Sequence, residues 1–197
     1  MNRGVVVPGV DEVDRLTAQA AAAAVALLTG VGTRLAHSSQ AATQAGLARD
    51  LLDEPWRSAL VAAAWLHDVG YSPALVATGF HPLDGARFLR EERWPDEVCC
   101  LVAWHTSAAC EAVFRGLDGL LVAEYARPPE RAMAVLAWAD LTSSPTGMRC
   151  SVEHRVADIF RRYPVGSVVH RAMVASFPHI WDLTGQIETL LVAGRVA

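Results

Sequence analysis

The sequence predicts an all-α fold built as a single domain. Three observations carry this expectation. No stretch alternates apolar and polar residues with the sustained period of two that a half-buried strand requires. Alanine and leucine, both strong helix formers, are abundant. Helix starts are punctuated by proline next to acidic residues, at Asp53-Glu54-Pro55, Pro95-Asp96-Glu97 and Pro128-Pro129-Glu130, where a missing N–H is harmless and a negative charge favours the helix N-terminus. With 197 residues, 52% of them apolar, the chain can bury a substantial core and lacks the composition of a disordered segment.

The elements follow in order. Residues 1 to 10 read as a loose start with a turn at Pro8-Gly9, and Asp11 as the cap of a helix reaching about Leu28. Thr29-Gly30-Val31-Gly32 breaks it, and Thr33 is placed to cap a second helix with Leu35, Ala42, Ala45 and Leu47 on apolar positions and His37 facing inward. The third helix opens at Asp53-Glu54-Pro55, runs through Leu60-Val61-Ala62-Ala63-Ala64-Trp65-Leu66, and delivers His67-Asp68 before Gly70 and Pro73 stop it. A loop covers Tyr71 to Phe80. His81-Pro82-Leu83-Asp84 then starts a helix, with Asp84 favourable in its first turn. Pro95-Asp96-Glu97 starts the helix that brings in Trp104-His105. Ser107 to about Tyr125 reads as helix and turn, broken near Gly116 and Gly119. Pro128-Pro129-Glu130 opens the helix carrying Met133, Leu136 and Trp138 to Asp140. Pro145-Thr146-Gly147 is a turn, Ser151-Val152-Glu153 starts a helix reaching Arg162, and the tail with Pro164, Pro178 and Gly185 reads as further short helices.

A net charge of -4 gives no global attraction to nucleic acid or to an anionic membrane, so neither is expected as a partner. The apolar stretch from Ala18 to Leu28 is short, holds Gln19, and follows Asp11, Glu12 and Asp14, unlike a signal peptide or a membrane span. The four cysteines form no C-x-x-C pair: Cys99 and Cys100 are adjacent, Cys110 and Cys150 isolated. They read as reduced thiols facing the core of a cytoplasmic protein.

Six residues have metal-binding chemistry where an unpartnered polar group would be awkward. His67 and Asp68 end an apolar helix. His37, His81, His105 and Asp140 lie beside other apolar segments. A buried carboxylate is costly without a partner, and a cation is one of the few partners that removes the cost. Imidazole and carboxylate together suit divalent Fe, Mn, Co, Ni or Zn. The ligands lie far apart in sequence, unlike the paired ligands of a zinc finger, so a folded bundle has to assemble the site.

At these positions the chain resembles the metal-dependent phosphohydrolase superfamily of HD domains, in the branch with two additional histidines. The resemblance covers roughly residues 30 to 162 and rests on Arg34-x-x-His37-Ser38, His67-Asp68, His81-Pro82-Leu83-Asp84-Gly85-Ala86, Trp104-His105-Thr106 and Ala139-Asp140. It implies an HD-type helical bundle: an N-terminal helix over 1–30 packed on the core, a metal-binding domain over 31–162, and a helical extension of the same domain over 163–197. It also implies that His37, His67, Asp68 and Asp140 hold one metal, with Asp68 bridging to a second that His81 and His105 complete. Were those two histidines structural, the site would hold one metal. The resemblance also makes His67 and Asp68 central to catalysis, with the bound metal activating a water and neutralising phosphoryl oxygens. The expected substrate is a small phosphomonoester or nucleotide.

The chain departs from the family where many members carry a lysine three residues after the aspartate: here stands Tyr71, with no fixed charge. Arg34 is the best candidate to replace that phosphate anchor, ahead of Arg87 and Arg149. The ligand pattern is also similar to bacterial dinucleoside-polyphosphate hydrolases. Gly70-Tyr71-Ser72-Pro73 only approximates the Gly-Tyr-Pro signature of cyclic-dinucleotide phosphodiesterases, whose activity is not expected. Mixed-valent di-iron oxygenases share the same six ligands and are the alternative. A non-catalytic metal-binding regulator is a second alternative. His154, His170 and His179 read as structural or surface groups, Trp65, Trp104 and Trp138 as core packing, and Arg155, Arg161, Arg162 and Arg171 as a solvated basic helix face.

Overall fold

The computed structural model describes residues 10–194, and the expected turn at Pro8-Gly9 lies outside them. The described residues form ten α-helices and no strand, with one isolated bridge between Ser143 and Arg149. The chain is all-α, as its patterning predicts. The helices are α1 (Val10–Leu28), α2 (Arg34–Ala48), α3 (Trp56–Leu66), α4 (His81–Glu91), α5 (Asp96–Trp104), α6 (Ala108–Arg115), α7 (Asp118–Glu124), α8 (Glu130–Leu141), α9 (Val152–Arg162) and α10 (Val168–Ala193).

Helix α3 is the centre of the bundle. Leu60, Ala62, Ala63, Ala64 and Leu66 are buried, and α1, α2, α5 and α8 all pack against it. The short side chains explain the arrangement. Ala20 and Ala24 of α1, Ala41 and Ala45 of α2 and Ala63 and Ala64 of α3 are all buried in one core, and such short side chains let packed helices approach closely. A second, smaller core joins Leu141 at the end of α8 to Val152, Val156 and Ile159 of α9 and to Met173 and Ile180 of α10. No helix among the described residues is long and apolar enough to cross a membrane. All four cysteines are free, Cys99 and Cys100 buried and the other two half-buried.

Several local expectations are corrected. Helix α1 starts at Val10, so Asp11 lies inside it rather than before it. Thr33 precedes α2 without capping it through its side chain, and Leu47 faces solvent. Gly119 falls inside α7. The break is made at Gly116, whose φ of 68° suits a residue without a side chain. The tail is a single helix of 26 residues rather than several short ones, and Pro178 lies within it. Proline removes one backbone hydrogen bond, but α10 packs along both α6 and α8, and that tertiary burial outweighs the local cost.

Two features set the position of α4. The buried Asp84 carboxylate accepts the N–H groups of Ala77 (3.2 Å), Thr78 (2.9 Å) and Gly79 (3.1 Å), and the Thr78 hydroxyl (2.8 Å). It ties down the loop before the helix instead of merely favouring the helix dipole. Gly70, in a 3-10 turn over Val69–Tyr71, touches the first turn of α4. A Cβ there would meet the carbonyl oxygen of His81 at 2.0 Å and the amide nitrogen of Gly85 at 2.7 Å. Both are backbone atoms and cannot step aside. Gly70→Ala should destabilise the protein by about 3 kcal/mol through overpacking. Gly46→Ala, inside α2 with nothing within 4 Å of the added carbon, should stabilise it by about 0.5–1 kcal/mol. Thermal unfolding of the two variants checks the contrast, and equal effects would contradict the close approach at Gly70.

Candidate metal centre

The ends of five helices meet in one place. His37 lies in the first turn of α2, one turn after Arg34. His67 and Asp68 follow the last residue of α3. His81 is the first residue of α4, His105 follows α5, and Asp140 is the penultimate residue of α8. Helix ends suit this purpose, because a side chain there can project past the backbone into the space where several helices converge. His37, His67, Asp68, His105 and Asp140 are all buried, and the His81 side chain is only 14% exposed.

The six fall into two trios. His37, His67 and Asp140 place one ligand atom each within 4.8 Å of one another, and so do Asp68, His81 and His105. Within the first, His37 Nε2 is 2.9 Å from Asp140 Oδ1 and 3.3 Å from His67 Nε2. Within the second, His81 Nε2 is 3.1 Å from His105 Nε2 and 3.5 Å from Asp68 Oδ1. The other oxygen of Asp68, Oδ2, lies 3.7 Å from His67 Nε2, so this one carboxylate presents an oxygen to each trio.

Tautomers follow from the backbone. His67 Nδ1 is 2.8 Å from the Ala64 carbonyl and His105 Nδ1 is 2.6 Å from the Val102 carbonyl, with His37 Nδ1 3.4 Å from the Ser144 carbonyl. A carbonyl only accepts, so Nδ1 of His67 and of His105 carries the proton and their Nε2 keeps its lone pair, whereas His37 Nε2 faces the Asp140 carboxylate, which also only accepts. The lone pairs of His67 and His105 are thus turned into the site, 3.3 Å from His37 Nε2 and 3.1 Å from His81 Nε2. A cation placed there would find these lone pairs and the two carboxylates directed toward it. Fixing a histidine by its second nitrogen is also the usual support of a metal-bound imidazole. The donor set, imidazole nitrogens with carboxylate oxygens, fits divalent transition metals.

The electrostatics agree with this. Burial pushes the pKa of Asp68 up, but Arg34 and the surrounding histidines outweigh it and hold the carboxyl well below its usual range. Burial likewise opposes the ionised Asp140, and the hydrogen bond and charge of His37 prevail, so this carboxyl too stays deprotonated. Burial lowers His81 and His105, each further opposed by a neighbouring imidazole, which favours the neutral ligand form.

Thr106 was not recognised as a site residue from sequence. Its hydroxyl donates to Asp140 Oδ2 at 2.5 Å, which leaves Oδ1 for the first trio. It does so from a backbone φ of 47°, a conformation that costs a β-branched residue on the order of 1–3 kcal/mol. No local sequence signal marks such a residue, because the partner is thirty-four positions away.

Arg34 and Tyr71 complete the floor of the cleft above the trios. Arg34 donates to Asp68 Oδ2 at 2.9 Å, and its guanidinium lies 3.8 Å from the centroid of the Tyr71 ring. That ring stacks on His81 at 3.9 Å with an interplanar angle of 20°. Burial raises the Tyr71 phenol well above its usual pKa, so it is neutral, and the positive charge on this side belongs to Arg34. Arg87 is paired with Glu124 and Arg149 is exposed, and neither lines the cleft. Arg155 and Arg162 do line it, against the expectation of a wholly solvated face. Arg155 is buried, because α9 packs its inner face into the second core. Arg161 remains exposed, and Arg171 covers the Phe114 ring. His154, His170 and His179 belong to neither trio, and Trp65, Trp104 and Trp138 do not line the cleft.

A sequence model of the family described as HD domain matches residues 34–144, which is more than half of the chain and holds all six candidate ligands. No curated protein and no solved structure matches the chain.

Two ligand trios joined by one carboxylate predict up to two divalent ions per chain. Asp68→Ala should leave the protein folded, judged by circular dichroism, with most of its metal lost by elemental analysis, since both trios lose an oxygen. His105→Ala should lose only about one of two ions. Full metal occupancy in Asp68→Ala would overturn the assignment, and unfolding of His105→Ala would mark that histidine as a core residue.

Proposed function

Because the chain belongs to the HD-domain family, we propose that it is a metal-dependent phosphohydrolase that cleaves a small phosphomonoester or nucleotide with water. The observation that carries this reading is the pair of His/Asp trios sharing Asp68 at the floor of a cleft lined by Arg34, Arg155 and Arg162. His37, His67 and Asp140 would hold one divalent ion and His81 and His105 a second, with Asp68 serving both; Fe, Mn, Co, Ni and Zn all suit the donors. Bound there, such ions supply a nucleophilic water at neutral pH and neutralise phosphoryl oxygens.

The chain's own groups account for the rest. The carbonyls of Ala64 and Val102 keep the Nδ1 protons of His67 and His105, so Nε2 is always the ligand atom. Thr106 keeps one oxygen of Asp140 occupied and turns the other inward. Arg34, fixed by Asp68 and by the face of Tyr71, takes the place of the lysine many relatives carry and offers its remaining N–H groups to a phosphoryl oxygen. A planar guanidinium stacked on an aromatic ring loses less freedom on binding an anion than a lysine stem would, and this favours a phosphorylated substrate.

A mixed-valent di-iron oxygenase is the second reading, favoured by the loss of the lysine at Tyr71. Three arginines in one cleft weigh toward phosphoryl chemistry. The four free cysteines support reading it as a cytoplasmic enzyme, where thiols stay reduced.

Protein loaded with each of the five metals should release inorganic phosphate from members of a phosphoester and nucleotide panel, at the same rate with and without dioxygen. Arg34→Met should lower kcat/KM by about a hundredfold through loss of transition-state charge stabilisation, with metal content retained. Turnover that requires dioxygen would replace this reading with the oxygenase, and a fully loaded protein inert toward the whole panel would remove it.

A further inference from the structure

The second basic wall of the cleft lies outside the segment that matches the family. It is formed by Arg155 and Arg162 on α9. Arg155 is only 5% exposed, and a guanidinium buried to that degree normally has its charge and its N–H groups answered by the protein. Here they are not. The carboxylate it reaches is Asp158, at 3.4 Å, the far limit of a hydrogen bond. Asp158 is already engaged: its Oδ2 is 2.8 Å from Arg162 Nε and its Oδ1 takes Arg161 at 2.5 Å. The Arg155 Nε–H is buried with no hydrogen-bond partner among the described residues. Three guanidinium groups thus share one carboxylate. Arg161, 74% exposed, can be served by water, whereas the other two adjoin the cleft and bring unused donors to it.

This wall is continuous with the charge at the trios. Arg34 reaches from Asp68 to the Tyr163 hydroxyl at 3.4 Å, and Tyr163 directly follows Arg162. We propose that Arg155 and Arg162 form a subsite for a second phosphoryl group, so that the substrate carries two: one at the His/Asp trios and one at α9. A diphosphate or bisphosphate compound fits this description, and a simple monophosphate uses half of the cleft. The subsite rests on the phosphohydrolase reading, since the first phosphoryl group has to lie at the trios.

The test compares two probes that cannot be hydrolysed, methylphosphonate and methylenediphosphonate, by titration calorimetry on the metal-loaded protein, with metal content measured after each titration. The wild type should bind the diphosphonate about tenfold more tightly than the monophosphonate, the gain of one charge-assisted contact. Arg162→Gln, which leaves Asp158 its bond to Arg161, should erase most of that preference while the affinity for methylphosphonate and the metal content stay unchanged. Arg155→Gln should do the same if circular dichroism shows it folded, and Arg162→Gln decides the matter alone if it is not. No preference in the wild type, or a preference that survives Arg162→Gln, overturns the subsite and leaves the phosphohydrolase reading standing. A metal-loaded wild type that binds neither probe overturns both.

Discussion

The fold is organised around a cluster of buried polar groups at its centre. Four imidazoles meet in two pairs, with Nε2 atoms 3.3 and 3.1 Å apart, and two buried carboxylates stand beside them. Burying such groups is costly unless each finds a partner. Much of the surrounding structure serves to hold it regardless. Backbone carbonyls at the ends of α3 and α5 grip the far nitrogens of His67 and His105. Asp84 ties down the loop before α4, and Gly70 lets that helix approach the turn after Asp68. The alanine faces of α1, α2 and α3 give the compact base on which these ends converge. Helix packing supplies the stability, and the buried His/Asp cluster draws on it.

Positive charge at this centre is arranged in layers. Arg34 meets Asp68 and lies over the Tyr71 ring, which in turn stacks on His81. The neutral tyrosine thus sits between the guanidinium and the His81 imidazole, with Arg34 beside the Asp68 carboxylate. A lysine at position 71 would bring its own charge to the site. Here the charge comes from α2 instead, and it reaches the cleft wall built by α9.

The long α10 and the helix before it form the outer half of the cleft. Their small core of Leu141, Val156, Ile159, Met173 and Ile180 fixes α9 so that one arginine is buried and its neighbour two turns on lies at the rim. The segment matching the family supplies the ligands, and the segment after it shapes what can approach them.

The sequence by itself determined the helical class and the order of the elements, because prolines, glycines, acidic first turns and helical periodicity act within one or two turns of the residues that carry them. It also singled out six metal-competent residues, since each stands at the edge of an apolar segment, and the resemblance of Arg34-x-x-His37-Ser38 to the family's first motif singled out Arg34. What the local signals could not decide were contacts across the chain. His37 meets Asp140 over 103 positions, and Thr106 turns that carboxylate from a strained backbone. Arg155 looked like one more solvated charge until packing buried it, and Pro178 looked like a helix end until α6 and α8 held α10 together. Only tertiary structure decides such cases, because burial and partner choice are properties of surfaces brought together by packing, and a short window of sequence carries no information about what lies on the other side.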